Sequence, residues 1–145
     1  MRLYVDCDMT LVLWTDVAED GTLLTHPWEG AEHYKPNTEL MKAITKFLEM
    51  YPTTGLTVWS GGGMTYARRW AEKFELPADA VMAKDIHVPS SGDICIDDQE
   101  LKVQGRLVTP EQFIEMVNSY EQRNKIYMRA RADDTHGLAL EKGIY

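Results

Sequence analysis

The sequence predicts an α/β fold, a three-layer sandwich around a central parallel sheet of the Rossmann type. Three observations lead there. Short apolar runs alternate with stretches of helical periodicity, the runs are continuously apolar, and each ends on a charged or hydroxyl residue. Strands that alternate with helices pair in parallel, and strands covered on both faces lose the in–out alternation of a half-exposed sheet. The predicted strands are residues 3–5, 56–59, 80–83 and 94–96.

The helices follow from spacing. After Pro36-Asn37, the residues Leu40, Ile44, Phe47 and Leu48 recur on one face of a first helix. A second follows Ser60, with Ala67, Trp70, Ala71 and Phe74 as its apolar stripe, and stops before Pro77. A third opens at Thr109-Pro110-Glu111-Gln112, where Thr109 caps, Pro110 fits the first turn and Gln112 closes a capping box. Phe113, Ile114, Val117 and Tyr120 form its buried side.

Two segments stand outside this rhythm. Residues 13–35 hold two β-favouring runs around Glu19-Asp20-Gly21, a hairpin turn signal. They are too few for a large cap domain but enough for a flap. Residues 123–145 carry Arg123, Lys125, Arg129 and Arg131 before a polar Asp133-Asp134-Thr135 break; a final strand and short helix, or partial disorder, are both open readings. The expected organisation is one catalytic core over 1–122, with 13–35 as the flap insertion and 123–145 as a tail.

Bulk composition narrows the function classes. The chain has 145 residues, 44% of them hydrophobic, and a net charge of −8. No apolar run is long enough to cross a bilayer and no secretory pattern opens the chain, so a cytoplasmic protein without a membrane partner is expected. Extended nucleic-acid binding needs a positive surface and is disfavoured. Cys7 and Cys95 lie in apolar strand segments, where thiols pack as small hydrophobes. Met41, Met64, Met82 and Met116 are read as core filler, and Arg68 and Arg69 as a solvated helix face.

The strand ends carry the chemistry. Open parallel sheets bind ligands beyond the carboxyl ends of their strands. After the first strand come Asp6, Asp8 and Thr10; after the second, Ser60 and Gly61-Gly62-Gly63; after the third, Lys84; after the fourth, Asp97 and Asp98. Two carboxylates about 4 Å apart repel by roughly 4 kcal/mol at an effective dielectric near 20, so such a cluster calls for a cation or a shared proton. Four carboxylates make a hard oxygen site suited to Mg²⁺. Ser60, the glycine amides and Lys84 supply donors and positive charge for a phosphoryl group.

In these residues the chain resembles the haloacid dehalogenase-like (HAD) phosphohydrolases. Their first motif, a hydrophobic strand followed by Asp-x-Asp-x-Thr, is matched by "YVDCDMTL"; their second, a strand ending in Ser or Thr, by "LTVWSGGG". The third, a Lys, is matched at Lys84 in "VMAKD", and the fourth, a strand ending in paired acids, by "ICIDDQ". All four occur in the family's order between residue 2 and about residue 100, and the departure is Met9, where many members have Gly. The resemblance implies a capless, flap-only phosphatase. Asp6 would be the nucleophile that becomes an aspartyl-phosphate, and Asp8 the general acid and then base. Mg²⁺ would be held by the Asp6 side chain, the Asp8 backbone carbonyl and Asp97, with Asp98 helping directly or through water. Thr10, Ser60, Gly61, Gly62 and Lys84 would engage the phosphoryl group. The implied substrate is a phosphorylated small molecule or terminus: a nucleotide, polynucleotide end, phosphoprotein or sugar phosphate.

Other readings remain at this stage. Lys102 is a rival for Lys84, and Ser60 can also cap the second helix. His26, Trp14, Trp28 and Tyr34 either select the leaving group or pack the flap on the core. His87 reads as an ordinary loop residue. A receiver-like phosphate-sensing module joins similar residue types in a different order, with its phosphorylated Asp alone after a middle strand; no lone Asp follows residues 56–59. A binding protein that keeps the fold without the activity is a third alternative, although no motif residue is missing. The sequence does not fix the oligomeric state.

Overall fold

In the computed structural model, residues 1–15, 24–25 and 33–137 are described, and the chain divides into two compact units, Met1–Ile114 and Glu115–Tyr145. The first unit is built on a five-stranded parallel sheet. Its strands are β1 (Arg2–Val5), β5 (Gly55–Ser60), β6 (Ala80–Ala83), β7 (Ile94–Ile96) and β8 (Arg106–Val108), in the spatial order β6-β5-β1-β7-β8. β1 lies at the centre, with Val5 level with Val58 on one side and Ile96 on the other. This register brings Asp6 and Asp97, each the residue after its strand, to the same rim.

Burial explains the central strands. Leu3, Val5, Leu56, Val58 and Ile96 are excluded from solvent because both faces are covered. Tyr4, Trp59 and Cys95 form one buried cluster, against which Met82, Leu101, Val103 and Leu107 pack. β6 departs from expectation: Ala80 and Ala83 are exposed and Val81 and Met82 half-buried, because it is an edge strand with one neighbour. β8 was not anticipated. Its three residues open on the exposed Arg106, too short and too polar at one end to register as an apolar run.

Helices α1 (Thr38–Met50) and α2 (Met64–Lys73) follow the strands as expected. Asn37 caps α1, its side chain accepting from the Leu40 N–H, and Leu40, Ala43, Ile44 and Phe47 are buried. Ser60 does not cap α2. That position falls to Gly63, at φ 103°, a left-handed conformation that a glycine adopts without steric cost. The methionines are less buried than a filler role requires: Met64 is exposed, and Met41, Met82 and Met116 are half-buried.

Between β1 and α1 lies the flap, a separate three-stranded antiparallel sheet. It comprises β2 (Val12–Trp14), β3 (Leu24–Thr25) and β4 (His33–Pro36), in the order β2-β4-β3. The turn expected at Glu19-Asp20-Gly21, with His26 and Trp28, lies outside the described residues. Among those described, nothing larger than this flap interrupts the core.

The expected boundary after residue 122 is not a break in secondary structure. Helix α3 runs from Pro110 to Gly137, through Asp133-Asp134-Thr135, in place of a final strand and short helix. Asp and Thr are indifferent helix formers rather than breakers, and Gly137 is the first glycine after Pro110. No helix among the described residues is long and apolar enough to cross a membrane.

The start of α3 is fixed by the capping box. The Gln112 N–H donates to Thr109 Oγ1 at 3.1 Å, and the Thr109 N–H donates to Gln112 Oε1 at 2.9 Å. Phe113 follows and packs on Phe47 with ring centroids 5.5 Å apart. Thr109→Ala is expected to cost about 1 kcal/mol, a fall in Tm of about 3–5 °C readable by circular dichroism, since one terminal amide loses its acceptor.

Candidate active site

Three strand ends meet on one ammonium group. Lys84 Nζ, just past β6, lies 3.0 Å from Asp6 Oδ1 after β1 and 2.8 Å from Asp97 Oδ2 after β7. Carboxylate oxygens of Asp6, Asp97 and Asp98 all lie within 4.8 Å of one another, a grouping able to hold a metal ion. Asp6 and Asp97 are buried, whereas Asp98 is exposed at the mouth. Lys84 therefore lies against the acids, whereas its rival Lys102 is exposed.

The backbone holds these groups in place. The Asp6 N–H donates to the Ile96 carbonyl and the Asp97 N–H to the Val108 carbonyl, both at 3.0 Å, so the ladder continues one residue past the strands. Asp97 Oδ1 accepts from the Gln99 N–H at 3.0 Å, which leaves Oδ2 turned to Lys84. The Lys84 N–H donates to the Ser60 carbonyl at 2.9 Å and links β6 to β5 at the rim.

The loop after β1 is a tight turn. The Cys7 carbonyl accepts from the Thr10, Leu11 and Val12 amides at 3.2, 2.9 and 3.0 Å. Met9, at the position where the family resemblance leads one to expect Gly, has φ 59°. A side chain in that conformation is strained by roughly 1–2 kcal/mol, which accounts physically for a preference for glycine. Thr10 is buried, its hydroxyl directed at Asp6 Oδ2 at 3.4 Å and its carbonyl accepting from Asn37 Nδ2 at 2.9 Å. It supports Asp6 from beneath, a placement different from the outward phosphoryl contact expected of it.

Ser60 is also buried. Its Oγ accepts from the Gly62 N–H at 3.0 Å, and its carbonyl accepts from Gly63 at 3.1 Å. Two of the three glycine amides are thus engaged within their own turn. Gly61 borders an open groove of about 720 Å³ beside Lys84, lined also by Met82, Ile86 and His87.

Asp8 has a different environment. Its carboxylate is exposed and stands outside the grouping of Asp6, Asp97 and Asp98. Tyr66 Oη donates to Oδ1 at 2.6 Å and Trp14 Nε1 donates to the same oxygen at 3.0 Å. Neither contact was anticipated, because an aromatic on an amphipathic helix or strand reads as core. The signal available was the position of Tyr66, six residues past Ser60 on the helix that starts at the active rim.

Electrostatics separates the acids. Burial, then the charge of Asp97, pushes the Asp6 carboxyl up to about 7, with Lys84 pulling the other way. Asp98 is also pushed up, burial again leading. Burial opposes the Lys84 charge, but its hydrogen bond to Asp97 and the charge of Asp6 outweigh it and raise its pKa. The cluster is short of positive charge even with Lys84 in place.

No protein-family model matches the chain, and no curated protein sequence matches it significantly.

A stability prediction follows from Asp6. Its folded pKa lies above the ordinary 3.8, so the folded state retains a proton that the unfolded chain gives up in between. This contribution is full below about pH 4 and is lost as pH rises through about 7. In EDTA, the Tm of the wild type should fall relative to that of Asp6→Asn across this window. A constant difference between the two melting curves from pH 5 to 8 would reject the assignment.

Proposed function

We propose that the protein is a Mg²⁺-dependent phosphomonoesterase with a three-layer HAD-like core, a flap in place of a cap domain, and an aspartyl-phosphate intermediate on Asp6. The single observation that carries the reading is Lys84 bridging Asp6 and Asp97 at 3.0 and 2.8 Å, with Asp98 alongside. Two buried acids on one lysine, with a third acid beside them, lie at the carboxyl edge of a parallel sheet, where ligands bind.

The donor set suits Mg²⁺: hard oxygens, an excess of negative charge, and one acid at an open mouth where water and phosphate can complete the coordination. Asp6, Asp97 and Asp98 would hold it through their side chains and Asp8 through its backbone carbonyl. When bound, it would neutralise charge on the phosphoryl oxygens.

The chain's own residues perform the transfer. An Asp6 oxygen attacks phosphorus in line, and the bond from phosphorus to the alcohol oxygen breaks. That oxygen leaves with the electron pair and takes a proton from Asp8. Asp8, now a base, removes a proton from water, which attacks the phosphoryl group and returns Asp6 as a carboxylate with inorganic phosphate released. Lys84 balances the incoming anion and keeps it from being repelled by Asp6. Ser60 and Gly61, at the end of β5, face the same rim and would complete the phosphoryl cradle, with Gly62 shaping the turn.

The small flap leaves room for a substrate whose bulk remains outside, which accommodates a phosphorylated metabolite or the phosphorylated terminus of a larger molecule. Incubation with 4-nitrophenyl phosphate and Mg²⁺ should give continued turnover, abolished by EDTA and restored by excess Mg²⁺. Asp6→Asn should lower kcat by at least about 10³-fold while leaving Tm equal or higher, because relief of carboxylate repulsion accompanies loss of the nucleophile. Phosphorylation that stops at one group per chain would favour the receiver-like alternative, and activity indifferent to chelation would reject the metal site.

A further inference from the structure

The mechanism above leaves one arrangement unused: both side-chain donors to Asp8 converge on the same oxygen. Tyr66 Oη and Trp14 Nε1 meet at Oδ1, at 2.6 and 3.0 Å, and among the described residues no hydrogen bond reaches Oδ2. An exposed aspartate without partners samples several rotamers, whereas two donors arriving from different elements select one.

Each donor is itself fixed. Tyr66 stands in the first turn of α2, and Trp14 is the last residue of β2 in the flap. The Trp14 ring meets Tyr34 and Trp70 edge-on, with centroids 5.7 and 6.0 Å apart, and Tyr66 lies 6.3 Å from the same Trp70. A Cβ at position 62 would come within 3.3 Å of the Tyr66 ring, so Gly62 leaves the space that this ring occupies.

We propose that Tyr66 and Trp14 are positioning residues for leaving-group protonation: by pinning Oδ1 of Asp8 they aim Oδ2 at the oxygen that departs from phosphorus. The inference rests on the phosphatase reading and deepens it. It also assigns the flap a role in the reaction, since Trp14 ties the flap to the proton donor, and it places the leaving group of the substrate beneath the flap. In the step concerned, the P–O bond breaks toward oxygen, and the proton moves from Asp8 Oδ2 to that oxygen as the new bond from Asp6 forms.

Two esters differing in their need for a proton test this. The 4-nitrophenolate group leaves unprotonated; phenolate, far more basic, leaves with assistance. The parameter to compare is kcat/KM, which reports the steps up to release of the alcohol. With saturating Mg²⁺, Tyr66→Phe should lower kcat/KM for phenyl phosphate by about 10–100-fold and for 4-nitrophenyl phosphate by less than about threefold. Trp14→Phe, which keeps a ring but removes the N–H, should show the same asymmetry and stands in if Tyr66→Phe does not fold. Losses equal on the two esters overturn the inference, because a purely structural role lowers both together. A wild type inactive on both esters overturns the phosphatase reading instead, and this inference with it.

Discussion

The ammonium of Lys84, held between Asp6 and Asp97, is the contact on which the rest of the site depends. Two buried carboxylates facing each other without it would repel by several kcal/mol, and the ends of β1 and β7 could not both remain close-packed. One positive charge shared among three acids does not balance them, however. Burial first, and then the charge of Asp97 that Lys84 leaves unbalanced, push the Asp6 carboxyl above the ordinary range. A site in that condition favours whatever brings more positive charge, and oxygen donors clustered at an open mouth favour a small hard cation. The same imbalance would therefore favour binding of such a cation.

The parallel sheet makes that contact possible at all. Asp6, Lys84 and Asp97 are far apart along the chain, yet each is the first residue after its strand. Parallel pairing with level registers brings such residues to one edge automatically. This is why the cluster was legible in the sequence: an apolar run followed at once by a polar residue marks both the strand and the address of its last side chain. Asp6, Lys84, Asp97 and Asp98 were all found in this way. What escaped obeyed no such rule. β8 is three residues long with a charged first residue, and α3 continues through acids and a threonine that weaken a helical pattern without ending it. Tyr66 lies 58 residues from the Asp8 it contacts, and no spacing along the chain encodes a hydrogen bond between a helix and a loop on another strand.

Trp70 is the packing counterpart of Lys84. Fully buried, it receives Trp14 and Tyr34 from the flap, Tyr66 from its own helix and Phe74 from that helix's C-cap. The edge-to-face contacts with Trp14, Tyr34 and Tyr66, and the stacked one with Phe74, add about 0.5–1.5 kcal/mol each beyond the area they bury. They fasten the described part of the flap to α2 near the active rim. Of the two expectations for the flap aromatics, leaving-group selection or packing on the core, the packing is visible at Trp14, and a polar contact accompanies it. Its ring packs on Trp70 while its N–H reaches Asp8.

The division of labour proposed for Asp6 and Asp8 has its physical basis in their environments. The two side chains are chemically identical and two residues apart. Asp6 is 5% exposed, wedged beneath Lys84 and braced by Thr10. Such a group has few alternative positions and suits a nucleophile, whose attack distance tolerates little error. Asp8 is exposed, at the far side of a turn knotted on the Cys7 carbonyl, and is oriented by side chains instead of by burial. A proton donor and acceptor needs that access, because it must serve first the departing oxygen and then a water molecule in the same place. Alternating pleat geometry accounts for none of this difference, since residues 6 and 8 lie past the end of β1. The turn produces it, by folding Asp8 outward at the cost of a left-handed Met9.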